Sequence, residues 1–252
     1  MLLVIDIGNT RTKWALAGDD GKLLDVEVCL NADIAKSTLL QAAQQADKAL
    51  IANVAGEAIA QQISQLLAPL ETHFISAKTQ ACGVINSYRS ALGADRWAAL
   101  VAAWHVNRWT TVVVNAGTAI TIDALGPSTK KNGLPLHGLF LGGTIMPGLR
   151  LMHESLSSNT AQLEAGEGSS SEFPTSTQDA MHTGCINAVA GAIYLMTKRL
   201  EKQVGAMPKL VISGGDAREI AQALNATLIP GLNRVIIIEN LVLQGLVLLE
   251  KE

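Results

Sequence analysis

The sequence predicts an α/β protein built from two similar halves, and three observations support this fold class. A strand-turn-strand pattern occurs twice, offset by 109 positions: residues 4–16 read Val-Ile-Asp-Ile-Gly-Asn-Thr-Arg-Thr-Lys-Trp-Ala-Leu, and residues 113–125 read Val-Val-Asn-Ala-Gly-Thr-Ala-Ile-Thr-Ile-Asp-Ala-Leu. Strand-like and helix-like segments alternate in each half, as in α/β proteins. The 252 residues, 48% hydrophobic and 16% charged, suffice for one large core or two ordinary ones. The internal repeat is the strongest of the three observations.

The first half is predicted to begin with a β-hairpin and to continue with strand-helix units. Apolar and β-branched residues on both sides of a Gly-Asn-Thr turn are typical of a hairpin. Apolar residues at helical spacing predict the helices, and Pro69 is expected to end the second of them. The expected strands are 2–7, 12–17, 23–30 and 49–54, and the expected helices are 32–46, 56–67 and 94–106.

The second half repeats this alternation, starting with strands over 110–123. A polar loop is expected over 126–138, and the Gly-, Ser- and Glu-rich segment 163–175 is predicted to be a mobile loop. Further strands are expected at 139–144, 210–213 and 235–238, and helices at 149–156, 177–200, 216–224 and 241–249. The join is predicted near 107–112, which gives an N-terminal domain of 1–111 and a C-terminal domain of 112–252.

Composition excludes several classes of function. The net charge of −3 and the pI of about 6.0 argue against a nucleic-acid partner held by a basic surface. No apolar run reaches the roughly 18–20 residues that a membrane span requires. Residues 2–5 are too short for a secretory signal and lead directly into Asp6, so a cytoplasmic location is expected. The three cysteines and five histidines show no spacing typical of disulfide frameworks or metal sites.

The turn of the first hairpin has the residues that a polyphosphate and its metal require. Phosphoryl transfer depends on positioned phosphates, a metal ion and neutralised charge. Asp6 follows a buried strand, where it could hold Mg²⁺ directly or through water. Gly8 lets the main chain approach a phosphate closely. Further donors and positive charge are available from Asn9, Thr10, Arg11 and Lys13. The alternative is an ordinary Asn-containing turn, which the second copy of the pattern makes less favourable.

This glycine turn matches neither of the common nucleotide-binding motifs. The sequence contains no Walker A pattern and no dinucleotide-binding glycine pattern after a strand. Two such hairpins facing each other are similar to those of the superfamily of actin, sugar kinases, acetate kinase and the heat-shock ATPases. The resemblance implies two actin-like (ribonuclease H-like) subdomains related by internal duplication, with an interdomain nucleotide cleft.

A second set of candidate residues begins the helix expected over 94–106. Asp95 lies in its first turn and could accept a proton from a substrate hydroxyl during phosphoryl transfer. Arg96 could pair with an anionic group of the substrate through two hydrogen bonds. The alternative is structural: Asp95 would cap the helix and Arg96 would form a surface ion pair.

Five motifs, taken together and in order, resemble type III pantothenate kinase and cover nearly the whole chain. They are residues 6–10 with Lys13, residues 93–97, residues 116–119, Gly142 and Gly143 with residues 147–149, and the helix start at 177–184. The resemblance implies ATP-dependent phosphorylation of pantothenate, the first step of coenzyme A biosynthesis, by a homodimer.

The same resemblance implies a role for individual residues. Asp95 would be the catalytic base. The ATP contacts would be Asp6, Ile7, Gly8, Asn9, Thr10, Arg11, Thr12, Lys13 and Thr118. The pantothenate contacts would be Tyr88, Gly93, Ala94, Asp95, Arg96 and Thr177. Gly214 would lie in the adenosine loop; an equal alternative is a strand-to-helix turn capped by Asp216. Thr177 also fits an ordinary N-terminal helix position.

One position departs from the family's pattern. The family usually has Asp where this chain has Asn115, at a position tied to a monovalent cation such as K⁺ or NH₄⁺. An amide carbonyl can still coordinate K⁺ but brings no charge, so cation dependence stays open. The roles of Asp123, His153 and His182 also stay open.

Two other functions are compatible with the same fold. One is a different small-molecule kinase, because a scaffold does not fix its substrate. Tyr88 and Arg96 argue for pantothenate, since a sugar kinase has no need of a carboxylate-binding Arg beside the base. The other is a nucleotide-binding regulator without catalysis, against which the presence of Asp6 and Asp95 argues.

Overall fold

The predicted N-terminal hairpin is present, and strands alternate with helices along the chain. The strands are β1 (Leu2–Ile7), β2 (Arg11–Ala17), β3 (Leu23–Leu30), β4 (Lys48–Asn53), β5 (Glu71–Phe74), β6 (Gln80–Ala81), β7 (Val84–Asn86), β8 (Thr111–Ala116), β9 (Ala119–Pro127), β10 (Lys130–Lys131), β11 (Leu134–Pro135), β12 (Gly138–Pro147), β13 (Lys209–Gly214) and β14 (Val235–Ile237). The α-helices are α1 (Leu39–Ala43), α2 (Glu57–Leu67), α3 (Ala94–Asn107), α4 (Leu149–Asn159), α5 (Thr177–Val204), α6 (Ala217–Thr227) and α7 (Leu241–Glu250).

The structure is a computed structural model that describes residues 1–128, 130–131, 134–160, 163, 166–227 and 235–252. Its residues form two units. The first contains Met1–Arg108, Pro127–Leu141 and Asn240–Glu252, and the second contains Trp109–Gly126 and Gly142–Glu239. In these described ranges, no helix is both long and apolar enough to cross a membrane. The predicted mobile loop at 163–175 lies partly outside the described residues.

The first unit is built on a five-stranded sheet in the order β3-β2-β1-β4-β5. β1 is antiparallel to β2 and parallel to β4. Because successive side chains of a strand point to opposite faces, β1 contributes Leu3, Ile5 and Ile7 to one core cluster and Val4 to the other. The cluster around Val4 includes residues of α3 and α7. Asp6 shares the face of Val4, and therefore the face that carries α3.

Helices α3 and α7 pack so closely that one position requires glycine. A Cβ added to Gly245 would stand 1.9 Å from the carbonyl oxygen of Ala98, which is fully buried. The main chain of the apolar helix α7 therefore packs directly against the main chain of α3. This contact explains why residues 240–252 belong to the first unit.

We expect Gly245→Ala to lower the free energy of unfolding by about 3 kcal/mol, because the added methyl group forces two helices apart. Gly191→Ala in α5 is the matched control, since a Cβ there meets nothing within 4 Å. That change should be neutral or stabilising by up to about 1 kcal/mol. Urea unfolding of both variants checks the expectation, which equal midpoints would contradict.

The prediction of one helix over 32–46 is wrong. The chain instead forms a 3₁₀-helix over Asn31–Lys36 and the short helix α1. Between them, the Ser37 hydroxyl donates to the carbonyl of Ile34 at 2.7 Å and accepts from the N–H of Leu39 at 3.3 Å. Such local side-chain bonds compete with the helical ladder and interrupt it.

The second unit repeats the topology of the first. Its sheet contains the consecutive strands β14-β13-β8-β9-β12, and β7 and β6 continue the order after β12. β8 is antiparallel to β9 and parallel to β13, just as β1 is to β2 and β4. Read from the other end, the order β12-β9-β8-β13-β14 matches β3-β2-β1-β4-β5 strand for strand. The predicted α/β fold with internal duplication is confirmed, and the repeated hairpin forms the equivalent antiparallel strand pair in each sheet.

Candidate functional site

The turn between β1 and β2 is a tight loop with its two central residues at the tip. The N–H of Gly8 donates to the carbonyl of Arg11 at 3.0 Å, which closes the loop around Asn9 and Thr10. Asn9 and Arg11 are exposed. The tip therefore presents main-chain and side-chain donors to solvent, as a phosphate-binding turn requires.

Asn31, which the sequence analysis did not identify, braces this turn. Its side-chain nitrogen donates to the carbonyl of Gly8 at 2.8 Å, and its N–H donates to the carbonyl of Thr10 at 3.1 Å. Its side-chain oxygen accepts from the hydroxyl of Thr12 at 2.8 Å. One residue thus fixes both arms of the turn.

Two of the predicted ATP contacts have fully buried side chains. Ile7 and Thr12 are both 0% exposed, and Ile7 belongs to the apolar core. Thr12 is bonded to Asn31 as described above. These side chains support the turn, so only their main chain is suited to contact a phosphate.

Asp6 and Asp95 form a pair of carboxyl groups that interact electrostatically. The pKa of Asp6 is raised to about 7, mainly by burial and also by the charge of Asp95, while the charge of Lys13 partly offsets both effects. Lys13 lies directly opposite Asp6 in the β1/β2 register. Its ammonium group donates to the side-chain oxygen of Asn240 at 2.9 Å. Neighbouring carboxyl groups offer the kind of oxygen ligands that a divalent cation prefers.

The start of α3 positions Asp95. The N-cap residue of α3 is Gly93, which makes no side-chain cap bond. The alternative in which Asp95 is the cap is therefore wrong. The Asp95 carboxylate accepts from the N–H of Arg96 at 2.7 Å. A Cβ on Gly93 would stand 2.6 Å from an oxygen of Asp95, so glycine leaves room for the carboxylate. Burial raises the pKa of Asp95, and the N–H and charge of Arg96 partly offset this.

Arg96 is a buried cation held against aromatic rings. It is 5% exposed, so the alternative of a surface ion pair is wrong. Its guanidinium carbon lies 5.3 Å from the ring centre of Tyr88 and 5.6 Å from that of Phe140. At these distances the ring faces attract the guanidinium. The sequence motifs contain Arg96 and Tyr88 but give no sign of Phe140.

The second hairpin is closed by glycines that allow main-chain contacts. The N–H of Gly148 donates to the carbonyl of Thr118 at 2.9 Å, and a Cβ there would stand 2.1 Å from the carbonyl oxygen of Gly117. Gly214 has φ +108°, and a Cβ on it would stand 2.1 Å from the carbonyl oxygen of Ala116. Gly148 and Gly214 are therefore required by the packing around this turn.

Ser176 is the N-cap residue of α5. Its hydroxyl accepts from the N–H of Asp179 at 3.1 Å and donates to the carboxylate of Asp179 at 2.7 Å. Thr177 is the first helical residue and is exposed. Its side chain is therefore not used as the cap.

The position predicted for a monovalent cation is neutral and has buried polar atoms without partners. The side-chain nitrogen of Asn115 and the hydroxyl of Thr121 are buried, and among the described residues neither has a hydrogen-bond partner. The two residues lie opposite each other in the β8/β9 register. The amide N–H does not coordinate K⁺, so the oxygens of these two side chains are the groups of this pair that could contact a cation. The buried Asp123 lies on the same face of the sheet.

The two histidines with open roles join three helices of the second unit. His182 on α5 pairs with Glu219 on α6, with 2.7 Å between the imidazole Nε2 and the carboxylate oxygen. The ring of His182 lies 5.5 Å from the ring of His153 on α4. Across the described part of the chain, no group of three His, Cys, Asp or Glu side chains could hold a metal ion. We interpret the histidines as structural contacts.

Comparison with known proteins identifies the family of the chain. A profile of the type III pantothenate kinase family matches residues 2–199. The type III pantothenate kinase of Nitrosospira multiformis is 38% identical, covering 100% of this chain and 92% of its own. That of Methylobacillus flagellatus is 40% identical, covering 99% and 98%.

Solved structures of similar fold include two whose descriptions differ from each other. One is a candidate Baf family transcriptional activator from Campylobacter jejuni, with a TM-score of 0.58, 24% identity and coverage of 96% of this chain and 94% of that chain. The other is a candidate 2-dehydro-3-deoxygalactonokinase from Sinorhizobium meliloti, with a TM-score of 0.60, 11% identity and coverage of 98% and 97%. At these identities the likeness shows the fold alone.

The duplicated sheet and its repeated hairpin define an α/β protein built from two similar halves. The chain belongs to the type III pantothenate kinase family, as the family profile and the full-length relatives show, and is therefore a kinase. The resemblance found in the sequence is confirmed.

Proposed function

We propose that this chain transfers the γ-phosphoryl group of ATP to pantothenate, forming 4'-phosphopantothenate in the first step of coenzyme A biosynthesis. The observation that carries this proposal is the group formed by Asp6, Asp95 and the buried Arg96 in a chain of this family. Two interacting carboxyl groups beside a cation suit phosphoryl transfer to the hydroxyl of a carboxylate substrate.

Asp95 is the general base in this proposal. The pantothenate hydroxyl gives its proton toward Asp95 while its oxygen attacks the γ-phosphorus, and ADP leaves on the opposite side. Burial raises the pKa of Asp95, which makes its carboxylate a stronger proton acceptor than an exposed one. The bond from the N–H of Arg96 fixes the orientation of this carboxylate.

The ATP phosphates are assigned to the turn of the first hairpin. Main-chain groups of residues 7–12 and the side chains of Asn9, Thr10, Arg11 and Lys13 would bind them, with Thr118 as a further ATP contact and Gly214 near the adenosine. Asp6 would hold Mg²⁺, which neutralises charge on the phosphates when bound. Because Asn31 bonds both arms of the turn, these donors are positioned before ATP arrives.

Pantothenate is assigned to residues near the start of α3. Arg96 would bind its carboxylate, and Tyr88, Gly93 and Ala94 would contact the rest of the molecule beside Asp95. Thr177 is proposed as a further contact, close to the interface of a homodimer. We further propose that the enzyme works in the cytoplasm, in keeping with the family resemblance.

The direct test of the substrate is identification of the product. Purified protein is incubated with MgATP and pantothenate, and the product is analysed by mass spectrometry and ³¹P NMR. We expect a phosphate monoester on the 4' hydroxyl. ADP formed without this ester would count against the proposal.

We predict that Asn115→Asp strengthens dependence on K⁺ or NH₄⁺. The new carboxylate would be buried beside Thr121 and would require a positive partner, which the amide does not. The measurement is turnover in K⁺, NH₄⁺ and Na⁺ salts at equal ionic strength. Thr121→Val is the control, because it changes the residue opposite Asn115 without adding charge. Equal rates in all salts for both the wild type and Asn115→Asp would contradict the prediction.

A further inference from the structure

Three groups in the first unit touch one another, and only two of them belong to the motifs of the site. The guanidinium of Arg96 lies 5.3 Å from the ring centre of Tyr88 and 5.6 Å from that of Phe140. The two ring centres are 5.5 Å apart, and the rings are tilted by 35°. These nearly equal distances form a triangle in which each group contacts the other two.

Phe140 is held firmly where it meets Arg96. It is 0% exposed and pairs with Asn86 in the parallel β12/β7 register. Its carbonyl accepts a hydrogen bond from the hydroxyl of Ser87. The side chain of Asn86 accepts from the N–H of Tyr88 at 3.0 Å. The strand pair that fixes Phe140 therefore also fixes Tyr88.

We infer that Phe140 is a positioning residue, which orients Arg96 for the carboxylate of pantothenate. An arginine side chain has many rotamers, and holding one of them before the ligand arrives removes an entropic cost from binding. The ring face supplies this hold, because it attracts a guanidinium most strongly when water is excluded. The inference rests on the proposed function and adds to it a residue that acts through Arg96.

The test variant is Phe140→Leu, which keeps an apolar side chain but removes the ring face. We expect the KM for pantothenate to rise about five- to tenfold, with kcat within about twofold of the wild type. Pantothenol, in which an alcohol replaces the carboxylate, is the comparison ligand. Its KM, or its inhibition constant if it is not phosphorylated, should not change. Phe140→Tyr keeps the ring face and should restore the KM for pantothenate.

Two further variants separate positioning from stability. Ile63→Val truncates a fully buried residue of the core cluster around Leu3, which does not include Phe140, and should leave the values for both ligands unchanged. Ser87→Ala removes the bond to the Phe140 carbonyl from an exposed residue. It should raise the KM for pantothenate alone, by less than Phe140→Leu does, and it serves as the test if Phe140→Leu does not fold.

The inference is overturned if the pantothenate and pantothenol values change by the same factor, or if neither changes. A wild-type protein that does not phosphorylate pantothenate would instead overturn the proposed function. Calorimetric binding of both ligands to that protein and to Phe140→Leu would then show whether Phe140 favours pantothenate over pantothenol. The two failures are therefore distinguishable.

Discussion

Asp95→Asn should lower kcat by about 10²- to 10⁴-fold while the protein stays folded and still binds ATP. The amide has nearly the same shape as the carboxylate but cannot accept the proton of the pantothenate hydroxyl. It can still occupy the space beside Gly93 at the start of α3, where the carboxylate now lies. Binding of the nucleotide depends on the hairpin turn, which this change leaves intact.

Three measurements check this expectation. Steady-state kinetics give kcat, calorimetry gives the Kd for ATP, and thermal unfolding confirms the fold. Glu57→Gln is the matched control, since Glu57 is also an acidic residue in the first turn of a helix. Its kcat should equal that of the wild type. Turnover of Asp95→Asn within a factor of two of the wild type would remove Asp95 from the mechanism.

Asp6→Asn should stabilise the metal-free protein at pH 8 while abolishing most of its activity. In the folded state the pKa of Asp6 is about 7, against an ordinary value of 3.8. The folded state therefore binds this proton more tightly than the unfolded state does. As a consequence, ionisation of Asp6 lowers the free energy of unfolding as the pH rises from about 4 to 7. Above pH 7 the cost is constant and amounts to roughly 2–4 kcal/mol. Asparagine carries no such cost, so the variant should be more stable at pH 8 and similar to the wild type near pH 4.

The measurement is urea unfolding of the wild type and Asp6→Asn at pH 4.5 and pH 8, with EDTA and without nucleotide. Asp20→Asn is the control. Asp20 is exposed, and the N–H and charge of Lys22 lower its pKa, so this variant should show no gain at pH 8. If the free energy of unfolding depends on pH in the same way in the wild type and in Asp6→Asn, burial and Asp95 do not destabilise the ionised carboxylate of Asp6.

The parts of the fold that were predicted correctly depend on local patterns. Runs of apolar and β-branched residues identify β1, β2 and β8, and the repeated hairpin identifies the duplication. The helix expected over 32–46 failed because a local hydrogen bond of Ser37 overrides helical periodicity. The position of α7 in the first unit depends on close contact between Gly245 and Ala98, residues far apart in the sequence.

In the candidate site, too, some residues are indicated by local sequence patterns and others depend on contacts between distant segments. Asp6 and Asp95 stand in short motifs with a chemical meaning, so the sequence alone indicates them. Asn31 has no motif, because its role depends on an edge strand that ends beside the hairpin turn. Phe140 is equally hidden, since only the pairing of β12 with β7 brings its ring to Arg96.

An assay of ADP release with MgATP, with and without pantothenate, tests the claim that this chain is a pantothenate kinase. We expect ADP release that depends on pantothenate in the wild type and is lost in Asp95→Asn. No ADP release from folded protein, or release that does not change when pantothenate is added, would contradict the claim. The first result would favour a regulator without catalysis, and the second would favour a different substrate.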